Sequence, residues 1–258
     1  MSSILFECNH GVAKITLNRP EKYNSFNRDM ALLLQKKLND CAADKNVRVV
    51  YLTGNGRAFC AGQDLCELLG EDPPGFEVIL AEHYNPIIKK IRNLPKPVVC
   101  AVNGVAAGAG ANIALACDIV VATEKASFIQ AFSKIGLIPD CGGTFMLPRL
   151  IGIQKASALM MLGDKVNATE AERIGMIYKV FSTETFAEES MQIAVTLSTM
   201  ATRAFAYTKE ALNASLTNSL EQQLQKEDEI QYKAGHTLDY SEGIAAFVEK
   251  REPVFKGE

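Results

Sequence analysis

The strongest constraint on this chain is an alternation. Short apolar, largely β-branched runs at Val47–Thr53, Val98–Val102 and Asp118–Ala122 are separated by longer stretches with apolar residues at helical spacing. Runs of that length and composition predict buried strands. Residues 4–8 and 12–18 alternate about Asn9-His10-Gly11, the pattern of a β-hairpin. A helix is predicted over 28–42, where Met30, Leu33, Leu34, Leu38 and Cys41 share a stripe behind an Asn27 cap. Residues 77–94 read as a long amphipathic helix ended by Pro95, Ala106–Ala116 as a helix of small residues, and Gly54–Gly62 as a glycine-punctuated loop. From about residue 142 the pattern is helical, with one strand-like interruption at Ile177–Phe181. The expectation is an α/β core followed by a helical C-terminal part, with no long linker or repeat dividing it.

Composition narrows what such a fold can serve. A chain of 258 residues, 48% hydrophobic, can fill one large core, or a core plus a small appended piece. The net charge of −3 leaves no basic surplus for a phosphate backbone, so no nucleic-acid partner is expected. The seven cysteines are odd in number and lack metal-ligand spacing, which fits a reducing compartment and predicts neither a disulfide framework nor a metal site. The first residues carry no basic, then apolar, leader pattern, the longest apolar runs are too short for a membrane span, and Phe255-Lys256-Gly257-Glu258 is no peroxisomal address. A cytoplasmic protein without a membrane partner is expected.

Three segments carry the chemistry. In Lys134–Thr144, Asp140 ends an apolar run and precedes Gly142-Gly143-Thr144, the start of a helical pattern. Between Ile138 and Phe145, a carboxylate is placed for desolvation to raise its pKa and make it a usable proton carrier. It is equally placed to cap the helix through a side-chain oxygen, the commoner role of Asp at such a spot. In Ala58–Leu65, Gly62 frees the backbone so that an amide N–H, that of Gln63, can point at a ligand. In Asn103–Asn112, a strand turns into a helix whose small side chains let a ligand approach the backbone and the positive helix end. One amide from each loop would form an oxyanion hole. Gly108-Ala109-Gly110-Ala111 also fits plain close helix packing.

With these residues in view, the chain resembles the crotonase (enoyl-CoA hydratase/isomerase) superfamily over nearly all its length. The matching residues are Leu17–Pro20, Asn24–Phe26, Phe59–Leu65, Lys96–Val98, Asn103-Gly104, Gly108–Gly110, Cys117-Asp118, Gly136–Pro139, Gly142–Thr144 and Phe247–Phe255. The resemblance implies a spiral of ββα units over residues 1–200 holding a CoA and acyl site, and a helical trimerisation region over 201–258. It implies acyl-CoA thioester substrates, no cofactor beyond the substrate's own CoA, and homotrimers or dimers of trimers. By position, the backbone amides of Gln63 and Ala109 would hold the thioester oxygen. Ala61, Gly62, Asp64, Leu65 and Gly108 would line the CoA and acyl path, and Lys250 would reach a CoA phosphate of a neighbouring subunit.

The family's hydratases use two glutamates, which would fall here at Asn112 and about Phe132. An amide and a phenyl ring cannot activate a water between acid and base. Allylic isomerisation needs one base and a stabilised dienolate, and Asp140 is the carboxylate on offer. Family members with Asp in this loop include ring-epoxide isomerases that also shift enoyl-CoA double bonds, and the loop here looks like theirs. Aryl-CoA dehalogenases place a nucleophilic aspartate here beside a histidine and aromatic residues. This chain has no tryptophan, and its histidines are 10, 83 and 236, with His83 expected on a helix surface. Glu67, Glu71 and Asp72 are expected to be solvated, Asp118 structural, and Cys60 and Cys141 space-filling. A slow or broad hydratase and a non-catalytic acyl-CoA-binding protein of the same fold are the alternatives.

Overall fold

The computed structural model describes residues 2–69 and 73–258, so Glu71 and Asp72 lie outside the described residues. In chain order the strands are β1 (Ile4–Asn9), β2 (Val12–Leu17), β3 (Val49–Gly54), β4 (Ala58–Cys60), β5 (Val98–Val102), β6 (Val105–Ala107), β7 (Ile119–Thr123), β8 (Ser127–Ile129), β9 (Lys165–Asn167) and β10 (Lys179–Phe181). They form a six-stranded sheet, ordered β1-β2-β3-β5-β7-β10, and a four-stranded sheet, ordered β4-β6-β8-β9. Apart from the β1–β2 hairpin and the antiparallel β8–β9 pair, neighbouring strands run parallel. From β3 to β8 the chain gives one strand to each sheet before crossing back. The result is a mixed α/β fold with parallel sheets and C-terminal helices.

Side-chain alternation decides what covers the large sheet. Val49, Tyr51, Val99, Ala101 and Val121 share one face, which packs against Phe186 and Ala194 of the helix Phe186–Thr199. Val50, Leu52, Val98, Cys100 and Val102 point the other way, into a core shared with Met30, Leu34 and Leu38 of the helix Arg28–Ala43 and with Ile87 and Ile91 of the helix Asn85–Asn93. Both faces are covered, which is why the sequence shows unbroken apolar runs there. The Asn27 side chain caps Arg28–Ala43 by accepting from the Met30 N–H at 3.1 Å.

Several expectations change. Gly54–Gly62 contains β4, and the Ala106–Ala116 stretch begins with β6, so that its helix starts only at Ala109 and runs to Leu115. The late helical region holds β9 as well as β10. The helix expected over 77–94 begins at Phe76 and passes through a π-helical segment, Ile79–Tyr84. There the Gln35 amide donates to the Glu82 and His83 carbonyls at 2.6 and 3.1 Å, which satisfies acceptors the wider turn leaves open. That segment carries His83 inward to 1% exposure, against the expected surface position. No helix among the described residues is long and apolar enough to cross a membrane.

Candidate active site

The carboxyl ends of β4, β6 and β8 open onto one place, as parallel strands do in α/β sheets. Beyond Cys60 the chain enters Ala61–Asp64, beyond Ala107 it enters Gly108 and the helix Ala109–Leu115, and beyond Ile129 it passes Phe132 toward Asp140. These segments surround a cavity of about 270 Å³ that is lined by Ala61, Gly62, Gln63, Leu65, Gly108, Ala109 and Asp140. Leu68, Phe76, Ile79 and Phe132 make the rest of its wall largely apolar. Seven of the nine residues singled out from sequence thus meet in one cavity.

Backbone contacts fix the two loops against each other. Phe26 brackets Gln63, donating to Gly62 O at 2.7 Å and accepting from the Asp64 N–H at 2.8 Å. The Gly62 N–H lies 3.4 Å from Cys60 Sγ, and the Gln63 N–H between these bonded amides has no acceptor among the described residues. Gly62 sits at φ +93°, and a Cβ there would stand 3.0 Å from Ala107 O and 3.4 Å from Ala109 N. The glycine therefore permits both the turn and the approach of one loop to the other. Ala109 is the first residue of its helix, where an N–H has no intrahelical acceptor.

Asp140 does not cap the following helix with its side chain. Its backbone carbonyl accepts from the Gly143 N–H at 2.8 Å, and Gly142 holds the cap position of the helix Gly143–Ile151 with no side-chain bond. The carboxylate is left for other work: Oδ1 is buried and has no hydrogen-bond partner among the described residues. Burial raises the Asp140 pKa above the ordinary carboxylate range, against weaker opposing pulls from the Cys141 thiol and its own backbone. The expected source of that burial is corrected, however. Ile138 is 81% exposed, and Phe145 is turned to stack under the Arg149 guanidinium at 3.7 Å. Asn112, buried at the first glutamate position, donates to Asp140 O at 2.9 Å and accepts from Gln130 Nε2 at 3.0 Å. Phe132, at the second, is buried in the cavity wall. Cys60 and Cys141 are buried, and burial pushes the Cys60 thiol up to about 12, in keeping with packing roles.

Two expected site residues stand outside the cavity wall. The Asp64 carboxylate turns back to Arg19 Nη2 at 2.7 Å and to the Cys66 N–H at 3.1 Å. Burial works to raise its pKa, but these partners outweigh it and hold the group below its usual range. Lys250 ends the last helix, Leu238–Glu249, at φ 54° and does not line the cavity of its own chain. Glu67 is not simply solvated, since its two oxygens accept from the Arg28 N–H at 2.8 Å and from Gln63 Nε2 at 2.7 Å. Tyr84 went unnoticed in the sequence, yet it lines the cavity and donates to Gln63 Oε1 at 2.8 Å. Asp118 is structural as expected, accepting from Lys209 at 2.7 Å and from the Val98 N–H at 2.8 Å.

Fold and site together define an α/β protein whose parallel strands deliver free backbone amides and one desolvated carboxylate to an apolar cavity. Among the described residues no His, Cys, Asp or Glu cluster is arranged to hold a metal. The family described as enoyl-CoA hydratase/isomerase matches residues 7–258, and the chain belongs to that family, the crotonases. It is similar to the 1,2-epoxyphenylacetyl-CoA isomerase of Escherichia coli K12, at 46% identity over 100% of this chain and 99% of the relative. It is also similar to the probable enoyl-CoA hydratase of Rhodobacter capsulatus, at 42% identity over 99% and 98%. Among solved structures, the enoyl-CoA hydratase of Bacillus anthracis superposes with a TM-score of 0.93 at 36% identity and covers 100% of both chains. The protein is therefore an enzyme of the hydratase/isomerase family with a crotonase fold.

Proposed function

We propose that the protein is a cofactor-free enoyl-CoA isomerase in which Asp140 is the proton shuttle. The carrying observation is that Asp140 Oδ1 is buried, without a partner among the described residues, in the cavity that the Gln63 and Ala109 loops enter. The thioester oxygen lies between the Gln63 and Ala109 N–H groups. Asp140 takes a proton from C2 of a 3-enoyl thioester, the C–H electron pair moves into a dienolate held by the two amides, and Asp140 returns the proton to C4. The double bond moves to C2–C3, and the carboxylate is regenerated. Ring-epoxide isomerisation draws on the same enolate stabilisation, and the similarity to the Escherichia coli isomerase supports including it.

The CoA path runs along Ala61, Gly62, Leu65 and Gly108, with Asp64 holding the loop through Arg19. The assembly is a homotrimer or dimer of trimers, built through the helical region 201–258 on a core of 1–200, and Lys250 meets the CoA of a neighbour. Exposed Leu238, Phe247 and Val248 on the last helix support a covered apolar face there. Proton exchange at C2 and C4 of a 3-enoyl-CoA in deuterated water tests the chemistry. Asp140→Asn should abolish exchange while keeping CoA-ester binding. Wild-type exchange rates in that variant would refute Asp140 as the shuttle, and a 3-hydroxyacyl product as the main outcome with the native enzyme would refute the isomerase reading in favour of hydration.

A further inference from the structure

We infer that Tyr84 and Glu67 are positioning residues that set the direction of the Gln63 backbone N–H through the Gln63 side chain. The inference rests on the reading of that amide as a donor to the thioester oxygen. An oxyanion donor must be aimed before the charge develops, and a loop amide is free to rotate unless something holds its residue. Here both ends of the Gln63 side-chain amide are held. Its oxygen accepts from the Tyr84 hydroxyl at 2.8 Å, and its nitrogen donates to Glu67 Oε2 at 2.7 Å.

Each holder is itself fixed by a separate element. Glu67 Oε1 accepts from the Arg28 N–H at 2.8 Å, which ties it to the first turn of the helix Arg28–Ala43, where a carboxylate is favoured. Tyr84 is fully buried at the end of the π-helical segment, with its ring edge-on to Phe26 at 6.1 Å. Phe26 is the same residue whose backbone brackets Gln63 on both sides. Burial keeps the Tyr84 phenol neutral, so it stays a donor throughout the working pH range. The π-helical segment and the Leu65–Leu69 turn are also cavity walls, so the acyl cavity and the Gln63 amide share one frame. π-helical turns recur at functional sites, and this one brings the phenol to bear on Gln63.

The test uses the full-length enzyme with trans-2-hexenoyl-CoA as probe. Carbonyl polarisation by oxyanion donors moves the enoyl-thioester absorption band to longer wavelength, and Asp140→Asn blocks turnover so that the bound band can be recorded. Tyr84→Phe, placed in that background, should shrink the shift. In the otherwise native enzyme it should lower kcat about tenfold with KM within about twofold, the scale of one lost hydrogen bond acting on the transition state. Glu67→Ala should do the same without touching the buried ring, and Glu67→Gln, which keeps one of the two acceptor oxygens and sets an NH2 against the other donor, should restore only part of both. No shift in Asp140→Asn itself overturns the oxyanion reading on which the inference depends. A shift that is present there and unchanged by both Tyr84→Phe and Glu67→Ala overturns the positioning role alone.

Discussion

Gly62→Ala offers a perturbation whose size follows from the geometry. At φ +93° an alanine meets the left-handed penalty of about 1–2 kcal/mol, and its Cβ would also stand only 3.0 Å from Ala107 O. For a chain of this size that strain corresponds to a Tm loss of about 2–8 °C. The β6 carbonyl cannot retreat freely, because β6 is paired with both β4 and β8. Relief must come from displacement of Gln63 or Ala109, the two proposed oxyanion donors. Misplacing one donor should cut kcat about 100-fold. Gly152→Ala is the control: Gly152 lies at φ +79° with nothing among the described residues within 4 Å of its Cβ position, so an alanine there meets a backbone penalty alone, away from the cavity. Thermal unfolding and 3-enoyl-CoA isomerisation would be measured for both. A Tm loss in both variants with a kcat drop only in Gly62→Ala is expected. A Gly62→Ala enzyme with native kcat would refute the claim that this glycine aligns the two amides.

Asp140 should impose an acidic limb on the rate. Its base form is lost as pH falls through its raised pKa, so kcat/KM should drop about tenfold per pH unit below a midpoint above the ordinary carboxylate value near 4. The same shift has the opposite sign for stability. A folded pKa above the unfolded one means that the native state is destabilised as pH rises through that window, so Asp140→Asn should be more stable than wild type at pH 7, with the gap closing in acid. Asn112→Ala removes the tether to Asp140 O and leaves Gln130 Nε2 without its partner, and calorimetry should show a loss of about 1–3 kcal/mol together with slower isomerisation. Lys209→Met removes a buried ammonium from Asp118, which keeps Arg92 at 3.5 Å and the Val98 N–H at 2.8 Å, and denaturant unfolding should register a loss of about 1–3 kcal/mol, with KM little changed.

The fold was legible where segments were long or rhythmic. Val49–Gly54 and Val98–Val102 are buried on both faces, so their side chains had no reason to be polar, and Arg28–Ala43 keeps a full apolar stripe behind a side-chain cap. The second sheet was hidden because its strands are three residues each, too short to show a period of two, and two of them lie in glycine- and alanine-rich sequence. The candidate cavity was found through its backbone-exposing loops and Asp140, since small residues and a carboxylate beside a helix start are readable one segment at a time. The Tyr84–Gln63–Glu67 contacts were not readable, because they join residues through a π-helical turn whose phase departs from the regular helix. The same turn explains why His83 is buried. Asp140's surroundings are not readable from its neighbours in sequence, because Ile138 faces outward and Phe145 stacks under the Arg149 guanidinium.

The order of the large sheet, β1-β2-β3-β5-β7-β10, follows the order of synthesis. Each strand that leaves the ribosome therefore finds its partner already in place at a single growing edge, and the smaller sheet extends in step from β4 to β6 to β8 to β9. Such a chain can consolidate from its N-terminus before the C-terminal helices exist. The cost is that the five-residue β7 forms the edge until the three-residue β10 docks beside it, so nascent chains stalled before residue 179 present the longer unpaired strand to their neighbours. Chaperone demand during translation should accordingly peak over the 55 or so residues made between β7 and β10, and ribosome-bound fragments ending there should be the ones most prone to aggregate.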